Sequence, residues 1–144
     1  MSNQPIHNII EHQTLLVSES NITVSQAAAL MKQRGVGAVI IVENNTLLGI
    51  FTERDAVFRV LAEGLDPSST YLRDVMTLNP RTVTSDKPLS HALHMMYEGS
   101  FRHVPVIENG DVIGIVSARD ALGSEILDFE SELIRRNHIA EILG

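Results

Sequence analysis

VSQAAALMKQRGVGAVIIVENNTLLGIFTERDAV, residues 24–57, aligns without a gap with LSHALHMMYEGSFRHVPVIENGDVIGIVSARDAL, residues 89–122, at a shift of 65. About a third of the pairs are identical, among them Ser25/Ser90, Ala27/Ala92, Met31/Met96, Gly49/Gly114 and the triplets Arg54-Asp55-Ala56 and Arg119-Asp120-Ala121. Two copies are too few for a solenoid, which needs at least three repeats to bury its faces. They suit a pseudo-symmetric pair.

Each copy reads as helix, strand, strand, helix. Thr23-x-x-Gln26 is a capping-box pattern, Val24, Ala27, Ala28 and Met31 recur at helical spacing, and Gly35 ends the helix. The apolar run Ala38–Val42 predicts a buried strand, Glu43-Asn44-Asn45 a turn, and Leu47–Phe51 the returning strand of a hairpin. A helix is expected from Thr52 to about Glu63, with Gly64 past its end. The second copy predicts a helix over Leu89–Glu98, strands His103–Ile107 and Val112–Val116, and a helix from Ser117. Ahead of it stand a turn-rich LDPSST, a short helix Tyr71–Met76 and a short strand Arg81–Thr84; His7–Ile10 and Leu15–Ser18 are their counterparts before the first copy. The expected architecture is α+β, two small sheets packed about a pseudo-twofold axis, divided as residues 1–70, 71–122 and a helical extension 123–144. In that extension Leu122, Ile126, Phe129 and Leu133 form an apolar stripe. It either folds back on its own domain or offers a surface for self-association.

The composition narrows the function. At 144 residues, 44% hydrophobic and 20% charged, the chain is one globular domain's worth of protein. It has no cysteine, which removes disulfides, thiolate metal sites and thiol nucleophiles and suits a reduced, cytoplasmic setting. The opening MSNQPIHNII lacks the pattern of a secretion signal, and no run approaches the ~18 apolar residues of a membrane span, so no membrane partner is expected. A net charge of -7 with only two lysines disfavours duplex nucleic acid, and 4% aromatic residues disfavour a base-stacking platform.

Chemistry concentrates where the second strand of each hairpin becomes a helix, at Gly49-Ile50-Phe51-Thr52-Glu53-Arg54-Asp55 and Gly114-Ile115-Val116-Ser117-Ala118-Arg119-Asp120. Thr-x-x-Asp and Ser-x-x-Asp are capping patterns in their own right, worth ~1 kcal/mol each. Their recurrence suits a second role, in which hydroxyl and helix N-terminus face a phosphate and the carboxylate accepts hydrogen bonds from a diol such as ribose.

These motifs, the helix-hairpin repeat and Phe101-Arg102-His103-Val104-Pro105-Val106 together resemble a tandem pair of cystathionine β-synthase (CBS) domains, over about Leu15 to Leu122. The resemblance implies two βαββα units joined through their sheets, regulatory rather than catalytic. It also implies two clefts for adenosyl ligands such as AMP, ADP, ATP, NAD or S-adenosylmethionine, a homodimer, and a regulated protein that the sequence leaves unknown. Carried over by position, one cleft pairs Thr52, Arg54 and Asp55 with Thr82, Arg102, His103 and Pro105. The other pairs Ser117, Arg119 and Asp120 with Val17, Val36, Gly37 and Ala38. Arg102 and His103 correspond to Gly37 and Ala38, so the Asp55 cleft is expected to carry the extra positive charge and to prefer the more highly phosphorylated ligand. His103 also reads as a strand histidine hydrogen-bonded within the fold. Ile40 departs from the family pattern, standing where the second copy has Pro105. The competing function is a docking or dimerisation module with empty clefts. His91 and His94 lie three apart on a helix without an evident third ligand, so no metal is expected; no P-loop, nucleophile elbow or His-Glu-x-x-His motif marks an enzyme.

Overall fold

The computed structural model describes residues 4–143, with side chains for all of them except 121, 124–129 and 140–143. The elements run α1 (Ile6–Ile10), β1 (Val17–Ser18), α2 (Val24–Arg34), β2 (Ala38–Glu43), β3 (Thr46–Thr52) and α3 (Glu53–Asp55), which continues as a π-helical segment, Ala56–Leu61. The second half runs α4 (Leu72–Val75), β4 (Thr77–Leu78), α5 (Leu89–Gly99), β5 (His103–Glu108), β6 (Asp111–Ser117) and α6 (Ala118–Leu143).

The helix and hairpin signals act as their chemistry dictates. Thr23 and Gln26 close both arms of a capping box on α2, and Gly35 ends it in the left-handed conformation, φ 65°. Asn44 and Asn45, then Asn109 and Gly110, take positive φ in the hairpin turns, the geometry that matches the twist of the paired strands. The helix expected through Glu63 differs from expectation. After Asp55 the wider π pattern takes over, as in the bond from Ala62 N–H to Val57 O, 2.8 Å, while Arg59 donates to the Met76 carbonyl at 2.9 Å. The segment buries Val60 and leaves Val57, Phe58 and Leu61 exposed.

The two sheets are unequal. The first has four strands in the order β1-β2-β3-β4, with β1 parallel to β2 and the rest antiparallel; the second has only β5-β6. The strand expected over Arg81–Thr84 is reduced to one bridge, Val83 to Val106. In the first unit Ile40 N–H donates to Leu16 O, 2.9 Å; Pro105 holds the equivalent place and has no N–H to give. β4 also lacks a strand as its counterpart. In its place the Gln13 side-chain amide donates to Ile115 O at 2.9 Å and accepts from Ile115 N–H at 2.8 Å. Those groups point away from β5 because Ile115 is opposite the proline, whose own carbonyl faces Val83.

The core falls into three clusters, and their membership does not follow chain order. Leu72, Val75 and Met76, from the segment leading into the second copy, pack with Val24, Ala27 and Phe51 of the first. Ile6 and Ile10, leading into the first copy, pack with Leu89, Val104 and Val116 of the second. Each unit is therefore finished by the other's lead helix. Between them Ala38, Ile40 and Ile50 meet Leu15, Val112 and Ile115, so the units join through their sheets. Along α6, Leu122 and Leu133 are 61% and 41% exposed; the side chains of Ile126 and Phe129 lie outside the described residues. Among the described residues no helix is long and apolar enough to cross a membrane.

Candidate functional site

Two cavities open where the hairpins of the two units meet. The first, about 520 Å³, lies at the start of α6. Ser117, Arg119 and Asp120 form one side, and Val36, Gly37 and Ala38 the other, as the sequence pairing expects. Val17 is not in its lining and stands 43% exposed; Leu15 and Leu16 take that part of the wall, with Gln13 and Thr14 before them. The second cavity, about 860 Å³, gathers Thr52, Arg54, Asp55, Arg102 and His103. Thr82 and Pro105 are outside its lining, and Pro105 is fully buried in β5. Both volumes fall within the ~300–1,000 Å³ of small-molecule sites.

The aspartates sit in different electrostatic settings. Asp55 is only 8% exposed. Its Oδ2 accepts the Thr52 N–H at 3.0 Å, Thr52 Oγ1 accepts the Asp55 N–H at 3.2 Å, and the Thr77 hydroxyl donates to Asp55 Oδ1 at 3.2 Å. Arg59 Nε approaches Oδ1 at 3.5 Å. The carboxylate is thus capped, bonded and neutralised from within the fold. Asp120 repeats one arm of that cap: its Oδ2 accepts the Ser117 N–H at 2.8 Å, and the Ser117 hydroxyl donates to the same oxygen at 3.3 Å. Among the described residues no hydrogen bond is recorded at its Oδ1. A diol needs acceptor positions, and Asp120 has more of that capacity left.

The cationic groups are also arranged otherwise than the 65-residue shift implies. Arg102 and His103 line both cavities, so the positive charge expected for the Asp55 cleft is shared between the two. Arg54 lies over the Phe58 ring, 5.2 Å from its centroid, and donates to Ser100 O of the other unit at 3.1 Å. Ser100 holds the left-handed position that Gly35 holds in the first unit, which turns its carbonyl toward Arg54. Burial depresses the His103 pKa below 6.5; Glu53, Asp120 and Asp55 oppose this, and Arg102 reinforces it. The imidazole is consequently neutral near pH 7.

Several lining residues escape a reading of the sequence. Glu53 sits between the two motif residues Thr52 and Asp55 yet borders both cavities. Thr77 and Arg59 act on Asp55 from 22 and four positions away, and only the packing of α4 and β4 onto the first unit brings Thr77 there. Gln13 carries no sequence signal, because its bonds to Ile115 join residues 102 positions apart. His94 Nε2 lies 2.9 Å from Glu98 Oε1, and no group of three potential ligands for a metal occurs among the described residues.

Comparison with known proteins agrees with this architecture. The CBS domain model matches residues 10–62 and 72–125. The CBS domain-containing protein CBSCBSPB2 of Arabidopsis thaliana is 42% identical over 119 residues, 82% of this chain, which spans about a fifth (22%) of that protein. A putative signal-transduction protein with CBS domains from Burkholderia ambifaria has TM-score 0.81 at 28% identity, covering 87% of this chain and 96% of its own. The CBS domain pair of protein MJ0100, solved with 5′-methylthioadenosine and S-adenosyl-L-methionine, has TM-score 0.75 at 25% identity, covering 88% and 98%. Two matched segments, two pseudo-symmetric units joined through their sheets and these likenesses place the chain in the CBS domain family.

Proposed function

We propose that this chain is a regulatory module that binds an adenosyl ligand of the AMP, ADP, ATP, NAD or S-adenosylmethionine class and passes its ligand state to a partner protein or to its own homodimer. The observation that carries the reading is the Asp120 cleft. A carboxylate with acceptor capacity to spare and the Ser117 hydroxyl sit at the start of α6, facing an apolar slot built by Leu15, Leu16, Val36 and Ala38 of the other unit. An adenine ring suits the slot, and a ribose diol suits the carboxylate. The adenosyl compounds bound to the MJ0100 pair support the same class. The Asp55 cleft is the second and weaker site, because its aspartate is already committed to Thr52, Thr77 and Arg59. No catalytic role is assigned.

A thermal-shift panel of AMP, ADP, ATP, NAD, S-adenosylmethionine and a GTP control, on wild type, Asp120→Ala and Asp55→Ala, tests the assignment. A ligand at a hundred times its Kd stabilises by ~2.7 kcal/mol, which at ~2–4 °C per kcal/mol for a chain of this size is readily seen. The expected result is a shift with adenosyl compounds that is largely lost in Asp120→Ala, where only the weaker cleft remains, and largely kept in Asp55→Ala. Silence across the whole panel would leave a docking module, to which the exposed Leu122 at the root of α6 already points.

A further inference from the structure

The pseudo-twofold axis brings the starts of α3 and α6 side by side, each tied to the opposite end of its own hairpin: Glu53 N–H donates to Gly37 O at 3.1 Å, and Ala118 N–H to Arg102 O at 2.9 Å. Three pairs of equivalent positions therefore surround the axis, and the sequence fills them asymmetrically. At the shift of 65 Gly37 corresponds to Arg102, Ala38 to His103, and Glu53 to Ala118. One member of every pair is a small residue and the other carries an ionisable side chain. The small residues leave room for the large ones to reach across. An added Cβ on Gly37 would lie 2.2 Å from Glu53 Oε1 and 3.3 Å from His103 Nε2, so both side chains occupy space that a side chain at residue 37 would fill. Glu53, Arg102 and His103 accordingly border both cavities.

The geometry points to a single ionisable partition serving two clefts, so that anionic ligands in the two sites antagonise each other. This rests on the adenosyl-ligand reading above and adds to it how the sites are regulated. A phosphate entering either cleft draws on the same Arg102 guanidinium, which cannot present its fork of donors fully in both directions. Among the described residues no other arginine borders both cavities. Arg54 is bonded to Ser100 O and stacked on Phe58, and Arg59 is paired with Asp55 and bonded to Met76 O. Arg119 borders the Asp120 cavity and not the Asp55 cavity. With the His103 pKa held down by burial, Arg102 is the permanent positive charge of the partition. Glu53 adds to the antagonism by holding a negative charge at the boundary that a second phosphate must also face. An uncharged nucleoside makes no demand on the partition.

Calorimetric titration of the full chain with ATP and, separately, with adenosine decides the matter, using wild type, Arg102→Ala, Asp55→Ala and Asp120→Ala. The two aspartate variants identify which heat belongs to which cleft. The expected result is that the first ATP weakens the second by about 5- to 150-fold, the range of ordinary coupling between sites. Adenosine should show much less coupling, and in Arg102→Ala both ATP affinities should fall while their ratio moves toward the adenosine value. Saturation by one ATP where adenosine fills both clefts is the same antagonism at its limit. Two independent ATP sites, or the same ratio for ATP and adenosine, would overturn the coupling and leave the binding reading intact. If neither compound binds, both fall together.

Discussion

Gln13→Ala removes the amide that stands in for a strand on the open edge of β6. Two hydrogen bonds, at 2.9 and 2.8 Å, go with it, and the Ile115 N–H and C=O lose their partners. Each such bond contributes ~0.5–1.5 kcal/mol net, and a stranded donor in a part-buried site costs ~1–3 kcal/mol if water cannot reach it. Because Ile115 is only partly buried, water recovers some of that cost, and the expected loss is ~1–2 kcal/mol. For a chain of this size it lowers the melting temperature by ~2–8 °C. Gln13→Glu is the informative companion, since a carboxylate still accepts from Ile115 N–H and cannot donate to its carbonyl. Thermal melts give the energy, and hydrogen exchange at the Ile115 amide gives the location: fast in Gln13→Ala, protected in Gln13→Glu. The ligand shift assigned to the Asp120 cleft should weaken in parallel, because Gln13 anchors the wall that continues through Leu15 and Leu16. A Gln13→Ala protein that melts within about 1 °C of wild type and keeps a slowly exchanging Ile115 amide would refute the reasoning.

Two further outcomes follow from the partition. Burial holds the His103 pKa in the folded chain below the 6.5 of the free side chain, so between those values the unfolded chain binds more protons. Stability attributable to His103 is therefore complete above pH 6.5 and is lost as the pH falls through that window, with a slope of at most ~1.4 kcal/mol per pH unit. Urea midpoints at several pH values should show a shallower acid dependence in His103→Gln, and parallel curves would contradict this origin. Gly37→Ala should leave the melting temperature within a few degrees, because residue 37 has no left-handed backbone to strain and the nearest obstruction is the mobile end of Glu53. The displaced carboxylate should instead lower the affinity for ATP more than for adenosine, as calorimetry would show; equal losses would place Glu53 elsewhere.

Local chemistry was legible in the sequence wherever the interaction is local. The Thr23–Gln26 and Thr52–Asp55 capping boxes, the Asn-rich hairpin turns and the left-handed Gly35 each depend on residues within a few positions of one another, and each stands as read. The repeat itself conveyed the pairing of hairpins about a pseudo-twofold axis. What it hid were departures from its own symmetry. A shift of 65 maps Arg102 onto Gly37 and so assigns the charge to one cleft, yet near a symmetry axis a long side chain is as close to one site as to the other. The same mapping cannot show that Thr77 meets Asp55, because that contact depends on which core receives the α4 segment. The loss of a strand at Arg81–Thr84 was in principle readable from Pro105, whose missing N–H removes the first bond of the ladder.

The exchange of lead helices separates the repeating unit from the folding unit. A single copy of the repeat does not complete its own core, since Ile6 and Ile10 complete that of the second copy and Leu72, Val75 and Met76 that of the first. Covalent linkage makes intramolecular an association that separate copies would have to make between molecules. A break in the exposed Gly64–Leu65 turn would leave two fragments that each remain unfinished until they meet.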